Sequence, residues 1–109
     1  MKSTFSYGAA KFIPAADFKI SKDATTGRVS ASTSYINTTG APINVRLLLA
    51  VYDGKRRLIS MKDEVQTIDA SAVKPLFVEL DNVGAVEARA FIWDANTYVP
   101  LVEGIALSL

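Results

Sequence analysis

The sequence predicts an all-β fold, an antiparallel sandwich of about seven strands. Three observations predict it. Stretches in which apolar and polar residues alternate recur about every ten residues, with turn formers between them. No segment of helical length carries apolar residues at three-to-four spacing. With 109 residues, 50% hydrophobic and 21% charged, the chain has the size and balance of one packed domain.

Each element has its own signal. Phe18 and Ile20 alternate with Lys19 and Ser21, which predicts a first strand over 16–22. Asp23 to Gly27 supplies a turn. Val29, Ala31, Thr33 and Tyr35 then oppose Arg28, Ser30, Ser32 and Ser34, a strand over 28–37 with a core row and a serine row facing solvent. After the loop Thr38 to Pro42, Ile43, Val45, Leu47, Leu49 and Val51 form one apolar face. Asp53-Gly54 reads as a two-residue type I′ hairpin turn, with Gly54 at positive φ. The return strand is expected from about Arg56 to Ile68, bent or broken on the way. Val73 to Leu80 follows with Leu76, Val78 and Leu80 inward, and Pro75 places it at an edge or near a strand start. A strand over 85–93 puts Val86, Ala88, Ala90 and Ile92 on one row. After the turn Asp94 to Thr97, a last strand is expected over 98–107. The domain is thus set at 15–109, with residues 1–14 as a linker or an added edge strand.

Composition removes several functions. The net charge is +1, so no field draws nucleic acid or an anionic membrane. The basic triplet Lys55-Arg56-Arg57 has Asp53, Asp63 and Glu64 nearby in sequence and reads as a solvated hairpin. The longest apolar run, Leu47 to Tyr52, is far too short to span a bilayer. Residues 1–5 lack the apolar stretch of a signal peptide, so the signal of a secreted parent is expected outside this chain. There is no cysteine and no histidine. Disulfides, His- or Cys-ligated metals, and Ser-His-Asp or Cys-His nucleophile arrangements are excluded together.

Asp53, Asp81 and Asp94 each stand where a turn favours aspartate, and no glycine-rich loop cradles phosphate. No catalytic residue, cofactor or metal is therefore expected. Asn37-Thr38-Thr39 fits a glycosylation sequon.

The informative feature is the second row on two strands expected to be neighbours. One carries Arg46, Leu48, Ala50 and Tyr52; the other carries Glu87, Arg89, Phe91 and Trp93. The opposite rows already complete the core, so these rings need another use. Either loops or residues 1–14 fold over them as a second small core, or they form an exposed aromatic platform that stacks on sugars or docks a neighbouring domain. The candidate binding residues are Trp93, Phe91, Tyr52 and Tyr98, with Arg46 and Arg89 as polar partners. Arg46 is expected across the strand pair near Trp93.

From Val29 to Leu101 the chain resembles immunoglobulin-like or fibronectin-III-like accessory modules near the C-termini of secreted proteins of Gram-positive anaerobes. The resemblance rests on Ile36-Asn37-Thr38-Thr39-Gly40, on Leu48 to Asp53, on Lys74 to Leu80, and above all on Val86 to Asp94 followed by Pro100-Leu101. In those modules the last piece usually runs Lys-Ala-Phe-Leu-Trp-Asp before Pro-Leu; here Arg89 replaces the lysine and Tyr98-Val99 precedes the proline. The resemblance implies an immunoglobulin-like sandwich and an extracellular or cell-surface location. It implies a non-catalytic module within a larger carbohydrate-active or surface protein. Its partners would be neighbouring domains or, alternatively, polysaccharide.

Overall fold

The computed structural model describes residues 14–81 and 84–109. Its strands are β1 (Ala15–Lys22), β2 (Val29–Ile36), β3 (Ile43–Tyr52), β4 (Leu58–Ile68), β5 (Val73–Leu80), β6 (Glu87–Asp94) and β7 (Ile105–Ser108). They form two antiparallel sheets, ordered β1-β2-β5 and β4-β3-β6-β7. This is an all-β sandwich, consistent with an immunoglobulin-like arrangement.

Alternation builds the core as the sequence implies. Val29, Ala31, Thr33 and Tyr35 of β2 are buried, as are Leu76, Val78 and Leu80 of β5. They face Val45, Leu47, Leu49 and Val51 of β3 and Ala88, Ala90 and Ile92 of β6, all without measurable exposure. Phe18 and Ile20 pack against this core only partly, because a bulge between Ala16 and Lys19, with Asp17 at φ 52°, interrupts β1. Pro75 lies on an edge strand, where its missing N–H breaks no ladder.

Asn37 closes one end of the sandwich. Its fully buried side-chain amide donates to the carbonyls of Ala41, Ile68 and Asp69, and its Oδ1 accepts the N–H and hydroxyl of Thr39. The sequon asparagine is thus spent on joining two loops inside the fold.

Three expectations are corrected. Gly54 is not at positive φ; Arg56 is, at 63°. The Asp53 carbonyl accepts the Arg56 N–H, the Asp53 N–H reaches the Arg57 carbonyl, and β4 begins only at Leu58. The Asp53 carboxylate accepts the N–H groups of Lys55 and Arg57 and the Arg57 Nε, which favours this longer loop over a two-residue turn. Val86 is half exposed rather than inward: a bend precedes β6 and buries Ala85 instead, so the alternation restarts at Ala88. The last strand is much shorter than 98–107. After a bridge between Trp93 and Pro100 the chain leaves the ladder and re-enters it only at Ile105. Pro100 has no N–H to offer and Tyr98 has positive φ, which together prevent a continuous strand. The linker or edge strand expected over residues 1–14 lies almost wholly outside the described residues.

Candidate functional site

The β3–β6 register sets the outer face of the four-stranded sheet. Arg46 stands opposite Trp93, Leu48 opposite Phe91, Ala50 opposite Arg89 and Tyr52 opposite Glu87. The expected pairing of Arg46 with Trp93 is therefore present.

The six candidate residues fall into two groups. At one end, Phe91 and Trp93 stack with ring centroids 5.6 Å apart and planes at 30°. The Arg46 guanidinium lies 5.5 Å from the centre of the Tyr98 ring and also pairs through Nη1 with the Asp63 carboxylate of β4. Its Nε is buried and finds no acceptor among the described residues. At the other end, the Arg89 guanidinium lies 5.9 Å from the Tyr52 ring centre, and its Nε reaches Glu87 at 2.9 Å. Arg46 and Tyr52 are six residues apart on one strand, or about 20 Å at ~3.3 Å per residue. The rings are thus two small clusters, each with its own arginine.

The chain itself covers much of the middle. Leu48 and Ala50 are buried. Gly104 passes so close over Phe91 that a Cβ there would sit 2.8 Å from the ring. Trp93 is half-buried, whereas Tyr98 is 61% exposed. Within the row, a loop covers Phe91, and Tyr52 and Trp93 are half-buried; the exposed ring is Tyr98, which lies past the turn on the β6–β7 loop.

The turn that presents Tyr98 repeats the one between β1 and β2. The Asp23 carboxylate accepts the N–H groups of Thr25 and Thr26, and the N–H of Gly27 returns to the Asp23 carbonyl. In the same way Asp94 accepts from Asn96 and Thr97, and the N–H of Tyr98 returns to the Asp94 carbonyl. Gly27 has φ 77° and Tyr98 has φ 62°. A position that glycine fills without strain in one turn holds a bulky aromatic in the other, an uncommon choice that costs free energy locally. The Thr97 N–H foremost, then that of Asn96, holds the Asp94 carboxyl below its ordinary range. Across the sandwich, burial raises the Tyr35 hydroxyl pKa, and the Asp94 charge adds to that shift.

Sequence reasoning missed Asp63 as the partner of Arg46, and Gly104 as the lid on Phe91. Both contacts join separate strands or loops, and no local spacing encodes them. No protein-family model matches this chain, and no curated protein sequence matches it.

Proposed function

We propose that this chain is a non-catalytic accessory module of a larger extracellular or cell-surface protein, and that it docks a neighbouring domain through the Trp93–Tyr98 end of its outer face. The observation that carries this reading is Tyr98 itself: an exposed ring held at positive φ where the matching turn has glycine. The ring stays largely exposed on a strained backbone, and the Arg46 guanidinium lies over it. Val99, beside it, is 56% exposed and extends the apolar patch. Hydrogen exchange of the domain alone and within its parent chain tests the reading. Protection of the 95–101 loop that rises when the adjoining domain is present, and falls back in a Tyr98→Gly parent, is the expected result. Identical exchange with and without the neighbour would sink it.

Carbohydrate binding is the second reading, favoured by the mixture of ring faces and guanidinium donors at Trp93, Tyr98 and Arg46. A sugar offers C–H surface to a ring and hydroxyls to a donor, so such a mixture suits it. Retardation of the isolated domain in native gels containing cellulose derivatives, xylan, mannan or β-glucan would move this reading ahead of docking.

A further inference from the structure

The strand β4 forms one edge of the four-stranded sheet and is the longest strand among those described. It exposes Leu58, Ile59, Met61 and Val65, each at a third or more of its full surface. A long edge strand with apolar side chains is a template for another strand, and here the Thr67 carbonyl near its end already accepts the Lys74 Nζ. Its sequence says which strand fits.

Around Asp63 the strand is self-complementary. Lys62 and Glu64 flank it by one residue, Met61 and Val65 by two, Ser60 and Gln66 by three. Lys62 and Glu64 lie on the row opposite Leu49 and Leu47; Met61 and Val65 lie on the outer row opposite Ala50 and Arg46. We propose that a second copy of this chain adds antiparallel to β4, with Asp63 at the two-fold axis. The two four-stranded sheets then run together as one. This inference does not depend on the docking reading, which uses the Trp93–Tyr98 end of the outer face, although Arg46 touches both Tyr98 and Asp63.

In this register Lys62 of each copy stands opposite Glu64 of the other, twice over, and Met61 stands opposite Val65, also twice. The two Asp63 carboxylates meet at the axis, and each already carries its own Arg46 guanidinium. Neighbouring registers are worse. Centring on Lys62 sets lysine against lysine and Met61 against Asp63; centring on Glu64 sets glutamate against glutamate and Val65 against Asp63. A slip by one residue puts the inner row of one copy on the outer face of the other. An inward lysine on an edge strand ordinarily discourages pairing. Here Glu64 turns the same lysine into an attractive contact for one partner only. Among the described residues the Lys62 side chain makes no ion pair or hydrogen bond, so it is available for that contact.

Sedimentation equilibrium of the domain from about 1 μM to about 1 mM reads the association directly. A reversible dimer is expected, weakened by added salt. Lys62→Glu should weaken it at least about tenfold, because it faces two glutamates with two glutamates. Combining Lys62→Glu with Glu64→Lys should restore it to within about threefold of the original. Glu64 also accepts the Phe77 N–H at Oε1 and the Gln66 side-chain amide at Oε2, so a melting curve must show that the double variant folds. If it does not, Met61→Glu with Val65→Lys supplies the same reciprocal test without touching Glu64. A monomer across the whole range overturns the proposal, as does a dimer whose affinity is indifferent to Lys62→Glu.

Discussion

The Arg46 guanidinium lies over the Tyr98 ring, 5.5 Å from its centre, while the same group holds the Asp63 carboxylate on the neighbouring strand. One side chain thus ties the β6–β7 loop to the edge strand across the outer face. A cation over an exposed ring contributes about 0.5–1 kcal/mol, comparable to the strain of one bulky residue at positive φ.

The first prediction follows from that near balance. Tyr98→Gly removes the cation–ring contact and relieves the backbone, so stability should change by less than about 1 kcal/mol. Trp93→Ala, which takes a half-buried indole from its stack on Phe91, should cost about 3 kcal/mol. Denaturant melts of both variants check this. Once those melts show Tyr98→Gly folded, a loss of docking or glycan retention in it reports function.

Among the described glycines, Gly104 is the one where an added methyl group meets other atoms. Its Cβ would lie 2.8 Å and 2.9 Å from two carbons of the Phe91 ring. Gly104→Ala should therefore destabilise the domain by about 1–3 kcal/mol. Pairing it with Phe91→Leu should recover part of that loss. Additive losses in the double variant would mean that the loop and the ring do not meet.

The β3–β4 hairpin gives a contrast between neighbours. Gly54 has ordinary φ and open space around its Cα, so Gly54→Ala should be neutral within about 0.5 kcal/mol or slightly stabilising. Arg56 occupies φ 63°, so Arg56→Gly should stabilise by about 1 kcal/mol. Thermal melts that show Gly54→Ala costing more than Arg56→Gly gains would restore the two-residue turn.

Acid should weaken the fold through its turns. Asp23, Asp53 and Asp94 each accept backbone N–H groups, foremost from Thr26, Arg57 and Thr97 respectively, and each carboxyl is held below its usual pKa. A folded pKa below the unfolded value of about 3.9 gives stability that is complete above that value. It is lost as pH falls through the lower folded pKa. Asp94→Asn keeps an oxygen for the turn but cannot titrate. Its melting temperature should drop less than that of the parent between about pH 5 and pH 3. An equal drop would place the acid sensitivity elsewhere.

The sequence made the sandwich legible because alternation is a local property. In β2, β3 and β5 the rows of Val29 to Tyr35, Val45 to Val51 and Leu76 to Leu80 face inward as their spacing requires, since a strand presents every second residue to one side. The same alternation placed Arg46, Leu48, Phe91 and Trp93 on one outer face, and the antiparallel register then set Arg46 beside Trp93. Where the backbone bends, that rule lapses: Val86 turned outward and the last strand shrank to Ile105–Ser108, because bends and bridges shift the phase of the alternation.

What only the tertiary structure decided were the contacts between segments distant in sequence. Asp63 reaches Arg46 from another strand, Gly104 covers Phe91 from the loop that precedes β7, and Asn37 joins carbonyls on two separate loops. The choice between a type I′ turn and a longer loop at Asp53 is local, and it turned on a carboxylate with several backbone donors within reach. Periodicity fixes which side a residue faces. Which distant group it meets there depends on how the sheets pack and the loops close, and those are properties of the whole chain.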